Sequence, residues 1–286
     1  MMCSKRRHDV AQKVDLARLK EMARQSRIDV IKMLAEAGSG HPGGSLSEIE
    51  ILVALFAHEM KHDPHNITMK DRDRFVLSKG HGIPGLYAVM AQCGYWPREE
   101  LLTLRKIESP FQGHPDHMRC PALEASTGSL GQGLSIAVGF ALASKLDGNR
   151  YRVYCLIGDG ESQEGQIWEA AMSAHKFKLD NLVCILDYNK AQIDGYVKDV
   201  MPLEPICDKW LAFGWHTIKI DGHDFNQIFK ALNEARSVKG KPTFILADTV
   251  KGKGVSFMEN VVDWHGVAPD AEQTKAALGE LNSIKN

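Results

Sequence analysis

The sequence predicts an α/β fold, a parallel sheet flanked by helices on both faces, and three observations carry that prediction. The runs "YRVYCLI", "NLVCILD", "WHTIKI" and "PTFILADTV" have the length and apolar character of strands. Helical patterns at 165–178 and 224–237 stand between successive runs, which is the arithmetic of βαβ units. The runs are apolar on both faces, so both faces meet other layers of protein, as in a buried parallel sheet.

Each earlier element follows from the same signals. Leu16, Leu19, Met22, Ala23, Val30, Ile31 and Leu34 recur at helical spacing across 15–37, and "AGSGHPGG" then breaks the pattern. Ser47 with Glu50 reads as a capping box, and the run from Ile49 to Phe56 as a second, largely buried helix. "RFVLSKGHG" reads as a short strand running into a loop. After an irregular section rich in His and Pro, "GSLGQGLSIAVGFALASKL" is a helix whose small residues permit close packing. With no internal repeat, low-complexity tract or linker, residues 1–286 are expected to form a single domain, with an N-terminal helical extension and long loops as its working surface.

Composition narrows the function. A chain of 286 residues can bury a substantial core. Lys plus Arg number 35 against 36 for Asp plus Glu, so no overall field favours nucleic acid or an anionic membrane, and no partner of either kind is expected. Cysteines at 3, 93, 120, 155, 184 and 207 form no Cys-x-x-Cys pair, and two lie inside strand-like runs, as expected of reduced thiols in a cytoplasmic protein. The opening "MMCSKRRHDVAQKVDL" is followed by no apolar signal region, and nowhere do 18 uncharged apolar residues run together. The tripeptide Asn66-Ile67-Thr68 is read as a chance sequon.

The chemistry gathers at strand ends. In "LIGDGESQEGQIWEA" an apolar strand stops at Gly158-Asp159-Gly160 and a helix follows, with Glu161 and Glu164 near its start. Acidic residues favour a helix N-terminus, so a capped turn alone would explain them. A second strand, however, ends directly before Asn189, 30 positions beyond Asp159 and so about one βαβ unit away. In an open parallel sheet, ligands bind outside the carboxyl ends of the strands, where this spacing brings the two residues together. A carboxylate, an amide oxygen and a nearby carbonyl are hard donors suited to Mg²⁺ or Ca²⁺, and Gly158 and Gly160 let backbone approach a phosphate. The pattern asks for a diphosphate.

"GDGESQEGQIWEAAMSAHKFKLDNLVCILDYNK" resembles the thiamin diphosphate motif of transketolases. The resemblance extends through "SGHPGG", "DRFVLSKGHG", "GHPD", "STGSLGQGLS", "KGKG" and "WHG", roughly residues 15–275, and is to the N-terminal half of that family. It implies the thiamin diphosphate-binding fold, with Asp159, the Asn189 side chain and the Ala191 carbonyl holding Mg²⁺ (or Ca²⁺) and Gly160 lying against the diphosphate. It also implies a cofactor-contacting turn at Gly128, Ser129 and Leu130, although a glycine-initiated helix explains those residues structurally. Lys251 in "TVKGKGVSF" is implied to touch the cofactor; alone, the stretch reads as a solvated basic loop.

Four of the twelve histidines, His41, His81, His114 and His265, lie in glycine-flanked loops from which a side chain can project into a cleft. Imidazoles there can hydrogen-bond sugar hydroxyls and shuttle protons. The resemblance implies that all four surround the reacting carbons, with His81 and His265 also touching the cofactor. Their spacings give no compact zinc motif. Gly38, Gly40 and Gly43 match G-x-G-x-x-G but follow a helix, which speaks against a dinucleotide site. Glu164 in the first turn of its helix either complements the dipole or, as the resemblance implies, joins a carboxylate network between paired active sites; Glu161 reads as a helix-start residue.

In transketolases the glutamate that activates the aminopyrimidine, the aromatic residues around that ring and much of the donor-phosphate site belong to the C-terminal half. The expectation is therefore the N-terminal subunit of a split transketolase, forming a dimer of heterodimers with a separately encoded C-terminal subunit. It would transfer a two-carbon ketol unit between sugar or sugar-phosphate substrates. Other thiamin diphosphate enzymes, a deoxyxylulose phosphate synthase or a 2-oxo acid dehydrogenase α subunit, are alternatives, as is a noncatalytic cofactor-binding module.

Overall fold

The computed structural model describes residues 14–284. Cys3 and the rest of the basic opening stretch up to residue 13 lie outside the described residues. Helix α1 (Leu16–Ala37) starts where the Asp15 carboxylate accepts the Arg18 N–H at 3.0 Å. It stops at Gly38, which is left-handed at φ 63°, a conformation costly for any residue with a Cβ. Gly38 is thus a helix stop, in agreement with reading the glycine triplet as something other than a dinucleotide loop.

Two short helices follow, α2 (Pro42–Ser47) and α3 (Ile49–Ala54), and the latter runs on as a π turn over Leu55–Glu59. Here the capping-box expectation is corrected. Pro42, with its φ already fixed, occupies the first turn of α2, so helical structure begins before Ser47. Ser47 is buried at the end of α2 and donates its hydroxyl to Asp187 at 2.6 Å, while Glu50 pairs with Arg27 at 2.6 Å and His223 at 2.8 Å. Distant partners take both side chains away from the local motif.

Strand β1 (Arg74–Leu77) leads through a 3₁₀ turn (Gly80–Gly82) into α4 (Ile83–Gln92), and a further 3₁₀ segment spans Arg98–Thr103. Helix α5 (Gln132–Leu146), β2 (Val153–Gly158), a 3₁₀ turn (Gly160–Gln163), α6 (Gly165–Lys176) and β3 (Leu182–Tyr188) form the central βαβ unit with its preceding helix. A small hairpin, β4 (Ala191–Gln192) and β5 (Gly195–Tyr196), precedes α7 (Val197–Val200) and α8 (Ile206–Ala212). The chain continues with β6 (His216–Asp221), α9 (Phe225–Ser237), β7 (Thr243–Asp248), a 3₁₀ turn (Val262–His265) and α10 (Ala271–Ser283).

The five long strands form one parallel sheet in the order β1-β2-β3-β7-β6. Alternation along the strands divides the core into two apolar layers, because successive side chains point to opposite faces. Tyr154, Leu156, Val183, Ile185 and Ile245 pack with α1, α3, α4 and α9. Val153, Cys155, Ile157, Cys184, Leu186 and Phe244 pack with α5, α6 and α8. Only β6 departs from the apolar expectation: it lies at the sheet edge and exposes Lys219, a charge that discourages pairing with another strand. No described helix is long and apolar enough to cross a membrane.

Candidate active site

Strands β2 and β3 pair with Gly158 opposite Asp187, so the residues just beyond them emerge at one edge of the sheet. Asp159 and Asn189 stand there, both buried, and both line one cavity of about 260 Å³. The same cavity is walled by His81, Leu130, Gly160, Glu164, Ala191, Lys251 and His265. One Asp159 oxygen accepts the Gly160 N–H at 2.7 Å and the other accepts the Lys190 N–H. Asn189 donates its amide to Asp187 at 3.1 Å and accepts the Ala191 N–H on Oδ1 at 3.2 Å. The amide orientation is therefore fixed from both ends.

Charge in this cavity is out of balance. Burial, reinforced by the neighbouring Asp187 carboxylate, pushes Asp159 up to about 7. Burial brings Lys251 down to about 8; its ammonium donates to the Ala191 carbonyl at 3.1 Å and lies 2.8 Å from His265 Nδ1. A buried carboxylate short of positive charge, beside an amide and a carbonyl oxygen, is a donor set that fits a hard divalent cation. Among the described residues no three His, Cys, Asp or Glu side chains group to hold a metal ion, so amide and carbonyl oxygens must complete any set built on Asp159. Lys251 adds a point charge suited to phosphate.

Against this cavity the four histidines form a cluster. The His41 ring lies 5.3 Å from that of His81, 5.6 Å from His265 and 6.1 Å from His114, and His81 and His265 are 5.2 Å apart. Burial lowers His41 to about 4, with the Arg105 charge adding to the effect, and lowers His265 to about 3, with Lys251 adding. Burial, with Lys79 nearby, holds His81 well below its ordinary value, and His114 is lowered by burial and Arg105. All four are neutral at pH 7, able to donate through one ring nitrogen and accept through the other. His41 Nδ1 is buried without a hydrogen-bond partner among the described residues.

Gly43 explains how the distant Lys251–His265 segment reaches this place. A Cβ there would lie 2.8 Å from the Trp264 carbonyl oxygen and 2.9 Å from Lys251 Cγ, so only glycine admits the approach. Gly128 and Ser129 do not line the cavity, unlike Leu130; Gly128 packs against the His114 ring instead.

Two carboxylates differ from expectation. Glu161 is no simple helix-start residue: it is buried, and it accepts the Ser78 hydroxyl, the Gly131 N–H at 2.9 Å and the Gly158 N–H at 3.0 Å. It ties together the ends of β1 and β2 and the start of α5. Glu164 lies one residue before α6 in extended conformation, outside the first turn, and makes no side-chain cap bond. It is exposed beside Gly131 at the cavity wall.

The sequence reading missed the ion cluster beneath the site. Lys79, 1% exposed, pairs with Asp187 at 2.5 Å and Glu48 at 2.8 Å and donates to the Gly44 carbonyl at 2.8 Å. Burial works to raise Asp187, but the Lys79 ammonium and the Ser47 and Thr249 hydroxyls hold it below the usual range. Burial pushes Glu48 up to about 8. The available signal was a lone acid closing the apolar "NLVCILD" and a lone cation directly after "RFVLS", since such charges are buried only when paired.

Comparison with known proteins places these features in context. The family described as "Transketolase, thiamine diphosphate binding domain" matches residues 19–282. The chain is 49% identical over 270 residues to the 6-deoxy-6-sulfo-D-fructose transketolase subunit SqwG of Clostridium sp. (strain MSTE9), covering 94% of this chain and 97% of that one. It is 40% identical over 264 residues to an apulose-4-phosphate transketolase subunit of Phocaeicola vulgatus, covering 92% and 94%. The crystal structure of transketolase from Campylobacter jejuni superposes with a TM-score of 0.88 at 34% identity, over 95% of this chain but 44% of that one. The chain thus spans nearly the whole of the relatives named as subunits and less than half of that longer enzyme.

Proposed function

The chain belongs to the transketolase family, and from that premise we propose that it is the diphosphate-binding subunit of a two-subunit transketolase. With a separately encoded C-terminal partner, as a dimer of heterodimers, it transfers a two-carbon ketol unit from a ketose or ketose phosphate to an aldose or aldose phosphate. The observation that carries this reading is the meeting of Asp159, Asn189, Ala191 and Lys251 in one cavity bordered by a cluster of neutral histidines. The relatives named as subunits, matched over 97% and 94% of their length, support a division of the enzyme between two chains.

In this reading Asp159, the Asn189 amide oxygen and the Ala191 carbonyl hold Mg²⁺, with Ca²⁺ able to stand in, and Gly160 and Lys251 meet the diphosphate. Thiamin diphosphate, when bound, supplies the electron sink that ketose cleavage requires. His41, His81, His114 and His265 bind and orient sugar hydroxyls and move protons at their ring nitrogens, with His81 and His265 also touching the cofactor. Lys251 donates to His265 Nδ1, which leaves the ring proton on Nε2 for the substrate. The turn Gly128-Ser129-Leu130 meets the cofactor through Leu130, the one of the three that lines the cavity, and Glu164 joins a carboxylate network between paired sites. The two apolar layers on one sheet support reading the chain as a single domain, and the free cysteines Cys93, Cys155 and Cys184 support a reducing cytoplasmic setting.

The test is co-purification with the partner, then a panel of ketoses and aldoses that includes phosphorylated pentoses and branched sugar phosphates. The assembled complex with Mg²⁺ and thiamin diphosphate should transfer ketol units, and the isolated chain should be nearly inactive. Robust transfer by the isolated chain would overturn the two-subunit reading. Pyruvate decarboxylation by the complex without sugar-dependent transfer would assign it to another class of thiamin enzyme.

A further inference from the structure

Arg105 is a cation placed between the loops that carry His41 and His114. Its backbone is left-handed at φ 62°, a conformation that costs any residue with a side chain. The guanidinium lies against residue 113: a Cβ on Gly113 would fall 2.6 Å from Cζ and 2.7 Å from Nε. On the other side, a Cβ on Gly40 would come 3.7 Å from Nε. Gly40 and Gly113 directly precede His41 and His114, whose rings are 6.1 Å apart. Gly113 therefore leaves a slot for this side chain, which also borders Gly40, at the histidine cluster.

A strut would spend its donors on the loops it holds. Arg27 ends on Glu50, Arg72 on Glu124, Arg98 on Asp29 and Arg236 on Glu59. Among the described residues the Arg105 side chain makes no hydrogen bond and no ion pair, and its Nε is buried without a partner. An unpaired buried donor on a fixed charge costs free energy that a ligand would recover. The residue is half-buried, so it remains open to solvent on one side. The two lysines that line the neighbouring cavity are engaged, Lys79 by two carboxylates and Lys251 by Ala191 and His265. A planar guanidinium fork matches a tetrahedral oxyanion with two parallel hydrogen bonds.

We propose that Arg105 is a specificity-determining contact of the substrate cleft, holding the oxyanion of a charged sugar, a phosphate or a sulfonate, beside His41 and His114. The proposal rests on the transketolase reading and adds to it a substrate contact supplied by this chain.

The experiment uses the assembled two-subunit complex with Mg²⁺ and thiamin diphosphate. For wild type, Arg105→Gln and Arg105→Lys, kcat/KM is measured on a ketose phosphate, the matching ketose sulfonate and the same ketose without the charged group. In Arg105→Gln the ratio of charged to neutral kcat/KM should fall about tenfold or more, chiefly through KM, with Arg105→Lys intermediate. A fall with only one of the two anions identifies which the site reads. Equal losses on charged and neutral substrates, as from a strut or a contact with the partner's carboxylate, overturn the proposal. Wild type that turns over no ketose defeats the transketolase reading instead. In that event, or should Arg105→Gln fail to assemble, protection decides: inorganic phosphate should shield Arg105 of the wild-type complex from phenylglyoxal, read by mass spectrometry, and an unshielded Arg105 overturns the proposal.

Discussion

The Asp159 carboxylate accepts the backbone N–H of Lys190, 31 residues further along the chain. That bond joins the turn after β2 to the turn after β3 and holds the two oxygen-bearing walls of the cavity in register. Asp159 thus both lines the cavity and clasps the turns that form it, so a substitution here acts on binding and folding together.

Asp159→Asn keeps the size of the side chain and one of the two acceptor oxygens, but removes the charge and the second acceptor. It should weaken Mg²⁺-dependent uptake of thiamin diphosphate by the assembled complex about 100-fold or more, since even outer-shell substitutions cost up to that factor. Isothermal titration calorimetry measures this directly, and unchanged affinity would exclude Asp159 as a ligand.

Glu161→Ala leaves the buried N–H groups of Gly131 and Gly158 without their acceptor. Loss of about 2 kcal/mol or more of unfolding free energy in urea is expected, because an orphaned buried donor carries its full desolvation cost. A change within experimental error would mean that a helix-start role was the whole of it.

Lys79→Met strands Asp187 and Glu48 together without their cation. Breaking a buried ion cluster in this way costs about 3–5 kcal/mol. Adding Glu48→Gln should restore part of the loss, and strict additivity of the two changes in a double-mutant cycle would show that the pair is not coupled.

The acid limb of stability should carry the signature of His41. Its value is about 4 in the folded protein against 6.5 ordinarily, so between these limits the unfolded chain binds more protons and stability is lost as pH falls. Glu48 acts with the opposite sign: pushed from 4.5 to about 8, it contributes stability that is present below 4.5 and lost as pH rises through 8. Differences between variants isolate each group. On going from pH 6.5 to 4, His41→Gln should lose less stability than wild type; on going from 4.5 to 8, Glu48→Gln should lose less. Parallel curves for wild type and both variants would contradict these assignments.

The relation between charge pairing and reach explains what the sequence reading missed. Glu161, read as a helix-start residue, turned out to serve Ser78, Gly131 and Gly158, two of which lie far away in sequence. Ser47 matched a local capping motif yet bonds Asp187, 140 residues away. In each case a local motif was present, and a distant partner in a water-poor interior, where a hydrogen bond is worth more, took the side chain.

By itself the sequence determined what depends on period and spacing. Apolar runs alternating with helices fixed a parallel sheet, and the spacing of 30 positions from Asp159 to Asn189 brought two strand ends together, because a βαβ unit returns the chain to the same edge. Tertiary structure alone decided which charges share a burial site. Lys79 with Glu48 and Asp187, and Arg105 left unpaired beside His41 and His114, follow from packing of segments that no local pattern relates. Burial sets the energy of a charge, and burial is a property of the whole assembled fold.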